Sequence, residues 1–263
     1  MRKIILSALT LIAISLQSNA TLSVFSNVMI EENRSQVMDL SNIQDKILSD
    51  FMNSFIEQNN DKLTGRIEQL AISHKATDNP LYLYWKGYAL FHNCIIYLKN
   101  SDRAQANKEL NRAIEAVTEI KIKNSEDYSL LSMLQSFSCQ FVGFPALIER
   151  SKEAAINIGK AIEMDKDNLR AHYVYANNDY YTPKDYGGGR NVEAYALKAL
   201  SLPSQKVKRA DLPSWGRQEC YELLTNYYLR AKNVSKADEY IRKGLEEFPN
   251  SYVLKANESK VVK

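Results

Sequence analysis

The chain has 263 residues, and its 34 Lys and Arg against 31 Asp and Glu give a formal charge of only +3. Nucleic acid is therefore not an expected partner, because phosphate backbones are bound by strongly basic surfaces. A hydrophobic fraction of 45% over this length excludes a disordered chain and suffices for a sizeable core or several stacked repeats.

The first twenty residues have the composition of a secretory signal peptide. Arg2 and Lys3 precede an apolar run, Ile4 to Leu16, and Ser18 to Ala20 follows as a cleavage region. The run is shorter than the roughly 20 apolar residues of a membrane span, which disfavours the alternative of a retained anchor. We predict cleavage near Ala20 and a periplasmic or secreted mature protein with no stable membrane span.

Residues 21–79 are predicted to form an N-terminal helical region or cap. Asn42 to His74 is interpreted as a pair of helices, because its apolar residues recur at three- and four-residue spacing. The residues expected to face inward are Ile43, Ile47, Phe51, Phe55, Leu63, Ile67 and Leu70. Thr21 to Ser41 shows no clear period, and is either an extension of the first helix or a loose N-terminus.

Residues 80–263 are predicted to form a repeat domain of helical hairpins. One pattern of small and apolar residues recurs as Ala106-Leu110-Ala113, Ala154-Ile158-Ala161, Val192-Ala196-Ala199 and Ala237-Ile241-Gly244. Small residues let two helices approach, so each copy predicts the second helix of a hairpin. Prolines fall between these helical segments, at Pro80, Pro145, Pro183, Pro203, Pro213 and Pro249. Together with the absence of alternating strand patterns, this predicts an all-α class.

The first helices of these hairpins are less regular. Leu83, Gly87 and Leu90 precede the first copy, with about seven extra residues that are predicted to lengthen the hairpin turn. Before the second copy, the helix is expected within Asp127 to Val142. Either Ser132 or Gln135 could there be the residue of closest helix approach, and the register stays open.

The last copy carries the clearest register. Its residues are Tyr221, Leu224, Thr225, Tyr228, Ala237, Ile241, Gly244 and Pro249. This spacing resembles one tetratricopeptide repeat, and Tyr180 to Arg190, with Tyr-Tyr-Thr-Pro before Gly-Gly-Gly, is similar to a loop of exported repeat proteins of the bacterial cell envelope. The resemblance implies an irregular right-handed solenoid of about four to five antiparallel helix pairs, used as a scaffold and not for catalysis.

The resemblance also implies a concave groove lined by first-helix residues. In the last repeat these are Glu219, Glu222, Asn226, Leu229 and Arg230. Asn226 and Arg230 would converge on a peptide carboxylate. The two glutamates oppose this and favour a segment of mixed or basic charge. The alternative is an ordinary solvated helix face.

In the earlier repeats the same register predicts an aromatic groove. The lining residues would be Tyr84, Tyr88, Phe91 and His92, followed by Arg170, Tyr173, Asn177 and Tyr181. Tyrosine combines an apolar face with a hydroxyl group, which suits peptides, sugars or ring-bearing ligands. The alternative is that these aromatic side chains only pack the helices together, as Trp85 is expected to do.

The glycine run and the cysteines each have two interpretations. Gly187 to Arg190 could present backbone N–H groups to an anion, but a simple chain turn is favoured. Cys94, Cys139 and Cys220 lack metal-ligand spacing, and three buried thiols are favoured over one disulfide with a leftover thiol.

Sequence motifs give no support to catalysis. His74, His92 and His172 are scattered, and neither Gly-x-Ser-x-Gly nor His-Glu-x-x-His occurs. We therefore expect no enzyme, cofactor or metal, although a hydrolase with an unrecognised site is a third possibility.

Two binding functions are expected from the sequence. The first is an exported scaffold or adaptor that binds a partner protein or peptide segment in a tyrosine-lined groove. The alternative is a periplasmic small-ligand carrier that accompanies a solute transporter, in which Tyr180, Tyr181 and Tyr186 would matter most. They differ in whether the insertions after Tyr97 and Tyr181 fold over the groove.

Overall fold

The computed structural model describes residues 37–203 and 209–261. The predicted signal peptide lies outside these residues, as does most of the stretch from Thr21 to Ser41. The described residues contain eleven α-helices, two short 3₁₀ turns and no strand, which confirms the all-α class. Residues 37–42 precede the first helix without joining it.

The helices follow one another along the whole described chain. They are α1 (Ile43–Glu57), α2 (Asp61–Thr77), α3 (Pro80–Lys99), α4 (Arg103–Glu119), α5 (Ser125–Ser138), α6 (Ala146–Met164), α7 (Leu169–Tyr181), α8 (Val192–Ser201), α9 (Arg217–Arg230), α10 (Val234–Glu247) and α11 (Tyr252–Val261). The 3₁₀ turns are Cys139–Phe141 and Lys184–Tyr186.

Helix packing follows a regular order. Each helix contacts the next one, and the largest contacts join α3 to α4, α5 to α6, α7 to α8 and α9 to α10. The odd-numbered helices also contact one another in sequence, from α1 to α3 and onward to α11. We call this continuous series the odd helix row, and it is the side on which the predicted groove residues lie.

Local sequence explains where the helices begin. The Asn79 side chain accepts a hydrogen bond from the Leu81 N–H, and Pro80 occupies the first helical position of α3. Asn124 and Asp127 form a capping box at the start of α5. At α7, Asn168 accepts from two backbone N–H groups. All six prolines lie at helix starts or between helices, as predicted.

Small residues mark the closest approaches between helices. A Cβ atom added at Gly87 would lie 2.5 Å from Val117 Cγ2 and 3.2 Å from the Ala113 carbonyl oxygen. In α5 the approach is at Ser132, whose hydroxyl donates to the Ala154 carbonyl over 2.7 Å. This decides the register that the sequence left open in favour of Ser132.

Two expectations about local structure were wrong. The extra residues before Arg103 do not lengthen a turn: they extend α3 to 20 residues, and only Asn100 to Asp102 connect it to α4. Cys94 and Cys220 are buried free thiols, but Cys139 is partly exposed because it lies in the 3₁₀ turn beyond α5.

The predicted helix pair of the N-terminal region is confirmed. Its predicted inward residues in α2 are fully buried, as are those in the first half of α1, whereas Phe51 and Phe55 are half-buried against the same core. Over residues 37–203 and 209–261, none of the helices is both long and apolar enough to cross a membrane.

Replacing Gly87 by Ala should destabilise the protein by about 1–3 kcal/mol, because the added methyl group overpacks the contact between α3 and α4. Gly159 is the matched control, since a Cβ added there in helix α6 meets nothing within 4 Å. Gly159→Ala should be neutral or stabilising by up to about 1 kcal/mol through helix propensity. Urea unfolding measures both, and equal effects would contradict the packing described here.

Candidate functional site

Part of the connection between α8 and α9 lies across the odd helix row. We call this part, residues 209–216, the covering segment. The Asn42 N–H donates to the Ala210 carbonyl over 2.8 Å, and the Trp85 indole N–H donates to the Asp211 carbonyl over 2.8 Å. These bonds join the covering segment to the residue before α1 and to α3, which lie more than a hundred residues away in sequence.

Trp215 is the centre of this arrangement. Its indole N–H donates to the Tyr84 hydroxyl oxygen over 2.9 Å. The ring stacks on Tyr88 with centroids 6.1 Å apart and meets the Tyr173 ring edge-on at 6.1 Å. Trp215 is only 4% exposed. It therefore fills the space between α3 and α7 that the sequence register had predicted as an aromatic groove.

Five of the thirteen predicted groove residues are enclosed by this insertion. They are Tyr84, Tyr88, His92, Arg170 and Tyr173, and all five are buried. The structure places these side chains against the protein's own tryptophan and core, so they are not open to a ligand. Packing, which was the alternative interpretation of the aromatic stripe, describes them.

A buried ion pair supports the covering segment. The Arg170 guanidinium, 1% exposed, binds both carboxylate oxygens of Glu126 over 2.5 Å and donates to the Trp215 carbonyl over 3.2 Å. Burial lowers the pKa of Arg170, but the hydrogen bonds and charge of Glu126 outweigh burial and raise it. Removing one partner of such a pair leaves an uncompensated buried charge.

The residue before α9, Gly216, packs closely against the start of α7. Gly216 has a φ of +108°, and a Cβ atom there would lie 2.9 Å from Leu169 Cδ2. Its N–H donates to the Glu219 carboxylate over 2.7 Å, and burial raises the pKa of this carboxyl group. The Glu219 carboxylate therefore caps the start of α9.

His92 lies in apolar surroundings, next to Tyr88, on which Trp215 stacks. Its ring is 4.9 Å from that of Phe51 and 4.4 Å from that of Tyr88. Its Nδ1 lies 2.9 Å from the Tyr88 carbonyl oxygen, so Nδ1 carries the proton and donates it. Burial lowers the pKa of His92 to about 4, and the imidazole is neutral at physiological pH.

Four further predicted residues lie toward the C-terminal ends of α7 and α9. Asn177 and Tyr181 are one turn apart on α7, and Asn226 and Arg230 are one turn apart on α9, which packs on α7. Asn177 and Asn226 are half-buried, Arg230 is exposed, and Tyr181 is 69% exposed. We call these four residues the open end.

Arg230 is held in place by the neighbouring Tyr180. Its guanidinium carbon lies 3.4 Å from the centre of the Tyr180 ring, and its Nη1 donates to the Tyr180 carbonyl over 3.1 Å. Tyr181 meets Tyr180 edge-on at 4.9 Å. The open end thus presents an oriented cation beside an exposed aromatic ring.

Helix α11 and the residue just before it bond to Glu222 and Asn226 of α9. The Glu222 carboxylate accepts from the Ser251 hydroxyl over 2.8 Å, and Asn226 Oδ1 accepts from Asn257 Nδ2 over 3.2 Å. The amide oxygen of Asn226 thus bonds to α11. Its amide nitrogen is the group that remains for a ligand.

The glycine run makes a turn that bonds to itself. The Gly188 N–H donates to the Pro183 carbonyl, and the Gly189 N–H donates to the Asp179 carbonyl over 2.9 Å. Gly187 and Gly189 have φ near +85°, and a Cβ at Gly188 would lie 1.9 Å from the Thr182 carbonyl oxygen. These donors are occupied, so the turn interpretation describes the run and the anion interpretation does not.

Sequence reasoning missed Trp215 and the covering segment. The one available signal was a Trp-Gly pair after Pro213, in a connection too long for a hairpin turn.

Among the residues that the structure describes, no three His, Cys, Asp or Glu side chains come together as a metal site requires. Comparison with known protein families and with curated proteins found no match for this chain.

Trp215→Ala should lower the free energy of unfolding by about 3–5 kcal/mol, because it removes a buried aromatic ring. Leu212→Ala, in the same segment but 36% exposed, should cost less than about 1 kcal/mol and serves as the control. Urea unfolding of both variants measures the two losses in free energy of unfolding. A loss below about 1 kcal/mol for Trp215→Ala would show that the indole is not inserted.

His92 should make stability depend on pH. Below pH 6.5 the unfolded chain binds a proton that the folded imidazole, with a pKa of about 4, does not bind. Stability should therefore fall as pH decreases from 6.5 to 4, by at most about 3 kcal/mol from this group, and the effect stops below pH 4.

Denaturant unfolding of the protein and of His92→Phe across this range measures the effect as a difference. Burial raises the pKa of the Asp127 carboxyl to about 6, which gives an opposite slope in both proteins and cancels between them. The stability of the protein relative to the variant should fall by up to about 3 kcal/mol as pH decreases from 6.5 to 4. Parallel profiles would mean that His92 protonates freely in the folded protein.

Proposed function

We propose that this protein is a helical-repeat scaffold of the tetratricopeptide type that binds a segment of a partner protein at the open end. The packing order supports the repeat assignment, because stacked hairpins require contacts between successive helices and between alternate helices. The last repeat supports it further, since Ala237, Ile241 and Gly244 are buried where the repeat register needs them.

The observation that carries the binding proposal is the fixed guanidinium of Arg230. Stacking on Tyr180 and one carbonyl bond restrain a side chain that is otherwise flexible, which reduces the entropy lost on binding. The other guanidinium N–H groups can pair with a carboxylate. Tyr181, exposed beside it, offers apolar contact for the rest of a peptide.

The acidic residues that opposed a carboxylate in the sequence are engaged elsewhere. Glu219 bonds to the Gly216 backbone. Glu222 bonds to Ser251 and to Gln218. We therefore propose a partner segment that carries a carboxylate, either an acidic side chain or a chain end, next to an apolar side chain. The N-terminal composition supports export to the cell envelope as part of the same proposal.

Arg230→Ala combined with Asn226→Ala should reduce partner capture from cell-envelope extract at least tenfold, because the carboxylate loses its donors. Quantitative mass spectrometry of the captured proteins measures this against Arg242→Ala. Arg242 is the matched control, since it is an exposed arginine whose ion pair with Asp238 lies within α10. The double variant should keep its free energy of unfolding within about 1 kcal/mol of that of the unchanged protein. Undiminished capture of every protein would overturn the assignment of these residues.

A further inference from the structure

Three side chains form a line of hydrogen bonds from α11 to the open end. Lys260 Nζ donates to Asn257 Oδ1 over 2.6 Å, and Asn257 Nδ2 donates to Asn226 Oδ1 over 3.2 Å. Lys260 and Asn257 are one turn apart on α11, and Asn226 lies on α9. Asn257 is 2% exposed, whereas Lys260 is exposed. The line therefore runs from the surface, through a buried amide, to a residue of the open end.

The direction of these bonds follows from Lys260. The two arms of a side-chain amide have nearly the same shape, but the oxygen accepts and the nitrogen donates. An ammonium group has three donors and no acceptor, so it can bond only to the oxygen of Asn257. The nitrogen of Asn257 is then the atom that faces α9, and it can bond only to the oxygen of Asn226. Each amide is thus oriented by the group before it.

The same order decides what Asn226 offers to a ligand. Its oxygen bonds to Asn257, and its nitrogen makes no hydrogen bond to another described residue. Asn226 is only half-buried, so this NH₂ group is accessible to a bound molecule. Reversed amides would instead present an oxygen, which repels a carboxylate and attracts an ammonium group. The orientation therefore bears on the charge of the ligand that the open end accepts.

Burial makes a reversal of Asn257 alone unfavourable. Its nitrogen would then face the Lys260 ammonium, and its oxygen would face the oxygen of Asn226. Both contacts would place like groups together, and a buried amide has no water to replace the lost bonds. Hydrogen bonds are restored only when both amides reverse and the Lys260 contact is given up. Lys260 is therefore the group whose replacement permits the opposite orientation.

We propose that Asn257 and Lys260 are positioning residues of the open end, which turn the Asn226 amide nitrogen toward the bound segment and thereby select a carboxylate. This rests on the proposed function, because it needs a carboxylate that meets Arg230 and Asn226. Arg230 supplies the charge, and the Asn226 nitrogen supplies a donor with a set direction. The selectivity is thus assigned to α11, which acts through Asn226 and not by touching the ligand.

Hydrogen exchange of the side-chain amides tests the orientation without any ligand. In ¹⁵N-labelled protein, Asn226→Ser and Asn257→Ser each remove one pair of NH₂ signals and so assign them. The NH₂ group of Asn257, buried and bonded to Asn226, should exchange with water at least tenfold more slowly than that of Asn226. Equal rates, or slower exchange of the Asn226 group, would overturn the proposal and leave the proposed function standing.

Titration with N-acetyl-leucine tests the effect on binding, since this molecule has one carboxylate next to an apolar side chain and no other charge. It should bind with a dissociation constant on the order of 10 mM and shift the Asn226 NH₂ signals. N-acetyl-leucinamide, which lacks the carboxylate, should bind at least tenfold more weakly. If the acid does not bind at about five times that concentration, the carboxylate site of the proposed function is wrong, and the selective role of α11 is wrong with it.

Lys260→Glu separates orientation from charge. A glutamate one turn from Asn257 can accept from its nitrogen, which reverses both amides. The Asn226 NH₂ group should then become the slowly exchanging one, and N-acetyl-leucine should bind at least tenfold more weakly. Lys255→Glu is the matched control, because it makes the same charge change at another exposed lysine of α11. Unchanged binding in Lys260→Glu, an equal loss in the control, or a loss without reversed exchange rates would overturn the proposal.

Discussion

The indole of Trp215 joins parts of the chain that are far apart in sequence. It bonds to Tyr84 on α3, contacts rings on α3 and α7, and keeps its own carbonyl against Arg170. A row of helices that contact only their neighbours would leave those tyrosines facing solvent. Inserting one aromatic residue buries them, and it also connects α9 to the first helices of the row. The burial of the aromatic side chains on the odd helix row depends on this contact.

Trp215 therefore divides the odd helix row into two parts with different chemistry. On one part the aromatic side chains are buried, His92 is kept neutral, and Arg170 is neutralised by Glu126. On the other part Arg230 remains exposed and oriented by Tyr180. Buried groups stabilise the fold and make no ligand contacts, so the partner binding that we propose uses the second part.

Local patterns predicted much of the fold. The helical class, the N-terminal helix pair and the positions of all six prolines follow from hydrophobic period and backbone chemistry. Gly87 is a further case, since a small residue at that register requires close helix approach, and the structure leaves no room for a Cβ there. Such features depend on residues near one another in sequence.

Contacts distant in sequence could not be predicted in the same way. A periodic stripe of tyrosines indicates a face, but not whether that face meets a ligand or the chain's own tryptophan. The choice of Ser132 over Gln135 depended on one bond to the Ala154 carbonyl. Glu126 gave no signal that it would pair with Arg170, 44 residues later. To predict each of these contacts, one would need the positions of residues on other helices.

Hydrogen exchange of the tryptophan indole groups tests the insertion of Trp215 most directly. In ¹⁵N-tryptophan-labelled protein, Trp215→Phe assigns the two indole signals. We expect the Trp215 indole N–H, which is buried and bonded to Tyr84, to exchange as slowly as that of Trp85, which is bonded to Asp211. Exchange of the Trp215 signal at the rate of a free indole would contradict the insertion and would return the tyrosines of α3 and α7 to an open groove.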